Sequence, residues 1–403
     1  MSPSSSVSER PYQPLYPTRL ANLLGRFRKP MVLDPEDMIR RAETATGLSD
    51  WGDDPFREGL EEFSRSVNED GAMHPAGRLM TRMGIDKWLQ DRLRIQQVLK
   101  DEPEITRRPV ERPILIPGWP RAGTTLLHRL LAVDPRFRTP RSWEIYFPVP
   151  PPDPKTYEED PRIAETASFY KLVFKTSPAL AVAHPMEAEW PEECWYFLDR
   201  SFIRVLPGVY FDVPGYREWL LSRSREELEP AYRYHKKQIQ ILQWQFPQVQ
   251  WLLKSPIHGV LLGAFHAVYP DARYIFCHRD PVKTVPSACS LVAARRAAFY
   301  STLDLNEIGA TVLAFLTEGT RRGLEARRLM EREQFLDVSF SELVTDPLGK
   351  AREVYEWLGE DLPPETEGEM KRFLEAQKSG RHAGHRYGLE QFGLDPKAVE
   401  RTF

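Results

Sequence analysis

The sequence predicts an α/β protein: a central parallel sheet flanked by helices on both faces, preceded by a helical extension and interrupted by a helical insertion. Three observations carry that expectation. Short apolar runs recur at Ile114-Leu115-Ile116, Trp251-Leu252-Leu253 and Tyr274-Ile275-Phe276, and their lack of polar alternation suits strands buried on both faces. Each run then passes through Gly or Pro punctuation into a helical periodicity, as in Gly259 to Tyr269, where Leu261, Leu262, Phe265, Val268 and Tyr269 share a face. Strands alternating with helices in this way imply βαβ units and right-handed crossovers.

Taken in order, residues 1–33 mix Ser, Pro and Arg without sustained periodicity and read as an N-terminal arm. Residues 34–112 read as a helical extension packed on the core. Asp34 suits an N-cap with Pro35 at the first helical position, and Met38, Ile39, Ala42 and Leu48 mark one face. Two further helices follow, Pro55 to Asn68 with Phe56, Leu60 and Phe63, and Ala76 to Lys100 with Leu79, Met83, Trp88, Leu89, Leu93 and Val98. At Pro113 the character changes to that of an α/β domain spanning 113–403, whose last strand candidate is Phe335 to Val338. An insertion at about 150–248 carries Trp190, Trp195, Tyr196, Phe197, Tyr210 and Phe211, which read either as plain core or as the wall of a pocket.

Charge and cysteine content exclude several classes. With 55 Lys+Arg against 58 Asp+Glu and a net charge of -3, nothing global favours nucleic acid or an anionic membrane as partner. Cys194, Cys277 and Cys289 are too few and too irregularly spaced for a disulfide framework or a Cys-rich zinc site, and they fit a reducing compartment. Met1 to Tyr16 lacks the pattern of a signal peptide, and no run reaches the ~18 apolar residues of a membrane span. The expectation is a cytoplasmic protein without stable membrane insertion.

The chemistry concentrates in Gly118 to Thr125 (GWPRAGTT), which follows the first strand and opens a helix through Leu126, Leu127, Leu130 and Leu131. Its spacing is that of a phosphate loop, with Thr124 where nucleotide-hydrolysing versions place Lys. Gly123 permits close backbone approach and the helix N-terminus contributes partial positive charge. Arg121, Ala122, Thr124 and Thr125 complete a cradle for one or two anionic groups that lacks the Lys of a triphosphate and magnesium apparatus.

Pro120 to Leu127 (PRAGTTLL) resembles the 5′-phosphosulfate-binding loop of P-loop sulfotransferases that use 3′-phosphoadenosine-5′-phosphosulfate (PAPS), with Ala122 where that family usually has Ser. His278-Arg279-Asp280-Pro281, followed by Ser287, resembles the same family's 3′-phosphate segment, in which an Arg and a Ser hold the phosphate. Lys378 to Gly393 resembles the segment that closes over the adenosine, which makes Arg381, His385, Arg386 and Tyr387 candidates. The resemblance implies a P-loop-type three-layer fold and direct in-line transfer of a sulfuryl group from PAPS. The acceptor would be a hydroxyl of a small molecule, lipid or carbohydrate, the product 3′,5′-adenosine bisphosphate, and no metal would be required. A homodimer is left open.

Such a transfer needs a base at the acceptor hydroxyl. Glu144, in Ser142-Trp143-Glu144-Ile145-Tyr146, stands where several branches of the family place a catalytic Glu; His258, in Lys254-Ser255-Pro256-Ile257-His258, stands near a Lys-x-His pattern of another branch, two residues longer here. His128, His184 and Glu187 remain as further bases, and each candidate has a structural reading as a cap or a core hydrogen-bonding group. Lys254, at a strand end, is a candidate contact to the donor or else a snorkelling surface lysine. The alternatives are a P-loop kinase or NTPase, which the missing Lys disfavours, and a non-catalytic nucleotide-binding protein.

Overall fold

The computed structural model describes residues 31–205, 207–247, 249–379 and 388–403. The chain enters through three helices, α1 (Pro35–Thr46), α2 (Arg57–Glu69) and α3 (Pro75–Asp101). Asp34 caps α1 as its sequence position suggested: Oδ1 accepts from the Glu36 amide at 3.0 Å. Gly47, at φ 69°, ends the helix in the left-handed region. Met38, Ile39, Leu60, Phe63, Leu89 and Leu93 from these helices enter the same apolar cluster as Leu115, Trp251, Leu253 and Tyr274 of the sheet. The extension therefore shares one apolar core with a sheet face, and it packs on the insertion through Pro214–Ser222 and Cys194–Ser201.

Five parallel strands form the sheet: β1 (Ile114–Ile116), β2 (Phe137–Arg138), β3 (Gln250–Lys254), β4 (Arg273–His278) and β5 (Phe335–Ser339), in the order β2-β3-β1-β4-β5. Leu115 sits between Leu253 on one side and Tyr274 on the other. Pleating sends Ile114, Ile116, Leu252 and Ile275 to the opposite face, where Leu127, Leu130 and Leu131 cover them. Strand β2 escaped the sequence reading, because Phe137-Arg138 carries no apolar run and is a strand only through pairing with Gln250 and Trp251.

The first crossover helix is α4 (Thr124–Leu131). A short helix α5 (Ser142–Tyr146) precedes the insertion, which supplies α6 (Pro161–Thr176), α7 (Pro178–Ala183), α8 (Pro207–Tyr210), α9 (Pro214–Ser222) and α10 (Arg225–Gln243). After β3 come α11 (Leu262–Val268), then α12 (Pro281–Arg296) and α13 (Leu305–Arg327) between β4 and β5. The chain finishes with α14 (Phe340–Thr345), α15 (Pro347–Leu358), α16 (Pro364–Ser379) and α17 (Pro396–Thr402). From β1 the chain first runs to the β2 and β3 side and later returns to β4 and β5. The carboxyl ends of β1 and β4 thus flank a switch point, the place where open α/β sheets bind ligands.

Three imidazoles are fully enclosed in this packing. His128 of α4 bonds the Leu252 carbonyl oxygen at 3.2 Å, His235 of α10 the Tyr269 hydroxyl at 2.9 Å, and His258 the Tyr232 hydroxyl at 2.7 Å. Burial pushes His128 and His258 well below 6.5 and His235 down to about 3. The unfolded chain takes up these protons near 6.5 while the folded chain does not, so stability falls as pH drops through that value. The slope reaches about 1.4 kcal/mol per pH unit for each imidazole. Urea midpoints are expected to decline steadily from pH 7 to 5; a flat midpoint over that range would refute neutral burial.

Candidate active site

The loop after β1 is held in an unusual backbone conformation. Gly118 leaves the strand at φ 143° and bridges Cys277 of β4. Trp119 then anchors the loop on α13, its Nε1 donating to Thr320 Oγ1 at 3.1 Å. Gly319 makes room for that indole, since a Cβ there would overlap the ring. Arg121 at φ 71° and Gly123 at φ 91° both occupy the left-handed region, at a cost of about 1–2 kcal/mol for Arg121. A Cβ on Gly123 would come 2.9 Å from Leu343 Cδ2 of α14, so the close approach requires glycine. The unbonded amides that begin α4 at Thr124 and Thr125 add the positive end of a helix dipole.

The second motif meets the first. Asp280 caps α12 by accepting from the Val282 amide at 2.8 Å, which turns the chain at the end of β4. Arg279 donates through Nη1 to the Arg121 carbonyl oxygen at 2.8 Å and lies 4.1 Å over the Phe340 ring. Arg121 Nε in turn donates to Ser287 Oγ at 3.2 Å. Two guanidinium groups and a hydroxyl, drawn from β1, β4 and α12, are thereby brought together. Like charges at such proximity favour an anionic ligand between or beside them.

A cavity of about 260 Å³ opens from this cluster. Arg121, Gly123, Thr124, Thr125 and Arg279 form one end; His184, Glu193, Tyr196, Tyr210 and Arg295 line the rest. Glu193 accepts from Lys254 Nζ at 2.7 Å and from Trp195 Nε1 at 2.7 Å. Burial works against its charge, yet the Lys254 ammonium, His184 and the Trp195 hydrogen bond together hold the carboxyl below the usual carboxylate range. The adjacent Glu192 is pushed up, chiefly by burial. Burial also drives His184 down to about 3, keeping it a neutral imidazole, and its Nδ1 is sealed from solvent without a hydrogen-bond partner. Ligating atoms of His184, Glu192 and Glu193 lie within 4.8 Å of one another.

The remaining sequence candidates fall elsewhere. Glu144 is enclosed within α5, accepting from Arg138 Nη2 at 2.6 Å and from the Arg141 amide at 2.8 Å, and does not line the cavity. The resemblance made it a candidate base; the structure gives it a buried ion pair and a helix start. His258 is equally enclosed, between Tyr232 and Cys194 Sγ at 3.1 Å, and it too lies outside the lining. His128 is spent on the sheet and Glu187 is exposed. Lys254 stands behind Glu193 rather than on the cavity wall or the surface. Arg381, His385, Arg386 and Tyr387 lie outside the described residues. Sequence reasoning passed over Glu193, because nothing local reveals a lysine 61 positions on.

A parallel sheet with a glycine-bearing loop after its first strand and an arginine after its fourth, both on one cavity, has the layout of an α/β enzyme core. The model of the Sulfotransferase family matches residues 113–364, well over half of the chain, and the chain belongs to that family. Two curated relatives, the omega-hydroxy-beta-dihydromenaquinone-9 sulfotransferases Stf3 of Mycobacterium bovis and Mycobacterium tuberculosis, are each 28% identical over 260 residues. The match takes in 61% of this chain and 62% of each relative, so the chain spans less than two thirds of their length. Among solved structures, sulfotransferase STF1 of Mycobacterium tuberculosis H37Rv superposes with a TM-score of 0.83 at 29% identity, covering 93% of this chain and 99% of that one. Sulfotransferase STF9 of Mycobacterium avium gives 0.84 at 31%, covering 91% and 94%. Among the described residues no helix is long and apolar enough to cross a membrane.

The placement of Glu144 makes a direct prediction. Glu144→Gln leaves Arg138 buried without its charge partner and is expected to lower stability by about 3–5 kcal/mol. Nucleotide affinity of the folded fraction should stay within a few-fold of wild type, read by calorimetry at low temperature. A variant of unchanged stability but abolished turnover would restore Glu144 as the base.

Proposed function

We propose that the protein transfers a sulfuryl group from PAPS to a hydroxyl of a small molecule, lipid or sugar, releasing 3′,5′-adenosine bisphosphate. The observation that carries this reading is the interlock of Arg121, Arg279 and Ser287, which suits a nucleotide bearing anions at both its 5′ and 3′ positions. Gly123, whose missing Cβ lets the loop lie against Leu343 and Phe340, sets the loop conformation that supports the same donor. An alcohol acceptor accords with the curated relatives, whose name specifies an omega-hydroxy compound. A kinase reading is not favoured, because Thr124 stands where the phosphate-binding Lys would be. The reading extends to a cytoplasmic protein, in keeping with three free cysteines.

When bound, the donor supplies an activated sulfuryl group. The loop amides, Thr124, Thr125 and Arg121 would hold the 5′ anions, and Arg279 with Ser287 the 3′-phosphate. His184 is the base in this reading: this neutral imidazole on the cavity wall accepts the acceptor's hydroxyl proton as that oxygen bonds sulfur and the bridging S–O bond breaks. Glu193, fixed by Lys254, stabilises the resulting imidazolium. Arg121 stabilises charge on the departing oxygen without calling on a metal.

Calorimetric titration with 3′,5′-adenosine bisphosphate in the absence of metal is expected to show micromolar binding, weakened at least about 100-fold in Arg279→Ala. Magnesium-dependent ATP binding with no bisphosphate binding would overturn the donor assignment.

His184→Asn is expected to reduce kcat by about 10²–10⁴-fold with bisphosphate affinity unchanged. Because burial holds the free imidazole near 3, the basic form persists throughout, and kcat/KM should not fall between pH 8 and 6. An acid limb at the ordinary histidine value, or a fully active His184→Asn enzyme, would exclude this base.

A further inference from the structure

We propose that Arg295 forms an anion subsite for the acceptor, so that this enzyme prefers hydroxy compounds carrying a carboxylate or comparable anion beyond an apolar stretch. The inference rests on the sulfuryl-transfer reading and specifies the substrate class of the same site. Its first support is position. Ser287, Leu291 and Arg295 recur at four-residue spacing on α12 and so share one face. Ser287 touches Arg121 at the donor end, whereas Leu291 and Arg295 line the cavity further along. Eight residues of helix place Arg295 roughly 12 Å beyond Ser287 along the axis.

The second support is the state of the side chain. Arg295 Nε is sealed from solvent without a hydrogen-bond partner, and among the described residues no carboxylate oxygen lies within ion-pair distance of its nitrogens. Its neighbours in the interior behave differently. Arg200 pairs with Asp91 at 2.9 Å, Arg204 with Asp199 at 3.1 Å, and Arg138 with Glu144 at 2.6 Å; Arg296, next in sequence, pairs with Glu307. The surrounding tyrosines and Glu192 offset burial and keep the guanidinium charged, while its fork holds no carboxylate and can take a ligand anion bidentately.

Charge balance supplies the third support. Glu193 is the acidic residue lining the cavity among the described residues, and Lys254 already pairs with it; the buried Glu192 behind it acts on Arg295 only from beyond ion-pair distance. Arg121 and Arg279 face the donor's own anions, which leaves Arg295 for the acceptor. The guanidinium stands 5.5 Å from the centre of the Tyr210 ring, and Trp195 stacks on Tyr196 at 3.9 Å. An acceptor reaching from the loop to Arg295 thus passes aromatic rings and Leu291, which selects a flat or apolar spacer between hydroxyl and anion.

The test uses the full-length chain with 4-hydroxyphenylacetate, 3-(4-hydroxyphenyl)propionate and 4-(4-hydroxyphenyl)butyrate, each paired with its methyl ester. Every pair is titrated calorimetrically with and without saturating 3′,5′-adenosine bisphosphate. At least one acid is expected to bind about ten-fold or more tightly than its ester. Arg295→Met should erase that preference and Arg295→Lys keep part of it, while both retain wild-type bisphosphate affinity, which also reports their folding. Acids that bind no better than their esters in every pair, or a preference that survives in Arg295→Met, would overturn the subsite. Failure of the bisphosphate to bind wild type would instead overturn the donor reading, and the acid and ester titrations without nucleotide still decide on Arg295.

Discussion

The contact on which the rest of the site depends is the donation from Arg279 to the Arg121 carbonyl oxygen. It couples two segments that share no sequence neighbourhood, the loop after β1 and the turn after β4, and it pins the one loop residue with a side chain in the left-handed region. Without that bond nothing evident would offset the strain at Arg121, and the loop amides would lose their fixed direction. The arrangement also places two cationic groups side by side before any ligand arrives. Their mutual repulsion is relieved by anion binding, so part of the stability of the bound state is stored in the geometry of the free one.

Buried carboxylates show how environment, and not residue type, assigns roles. Glu144 and Glu193 are each paired with a cation at hydrogen-bond distance, Arg138 and Lys254 respectively. The first pair is enclosed among Trp251, Phe246 and Tyr157, whose rings surround the Arg138 guanidinium, and it does not line the cavity. The second opens on the cavity beside a neutral imidazole. A carboxylate that Lys254 keeps ionised is a poor proton acceptor by itself but a good stabiliser of an adjacent imidazolium, which is why the proton is assigned to His184.

Much of the fold was legible because its signals are local. Ile114-Leu115-Ile116 is a strand by composition, Asp34-Pro35 is a cap by chemistry, and the spacing of Gly118 to Thr125 requires a tight turn before a helix. Strand β2 was invisible because its pairing partner, not its own pattern, makes Phe137-Arg138 extended. The site divided along the same line. Arg121, Gly123, Arg279 and Ser287 sit at fixed offsets from strand ends, so motif spacing located them. The cavity wall from the insertion did not follow from spacing: Phe197 turned inward to the core, while Trp195 and Tyr196 before it face the cavity. Only three-dimensional packing separates those three adjacent aromatic positions.

The two ends of the cavity are built on different principles, and this has a consequence for how acceptor choice is set. The donor end is made of backbone amides and of side chains tied to strand termini, so a substitution there disturbs the loop, the sheet edge and the turn together. The acceptor end is made of side chains projecting from α12 and from the insertion, each replaceable without moving a strand. Arg295 belongs to the second kind, although it stands on the same helix as Ser287. A rigid helix thus spans both ends, fixing the distance between the group that anchors the donor and the group that meets the acceptor. The identity of the residue two turns beyond Ser287 can then change the class of acceptor while leaving the donor geometry intact.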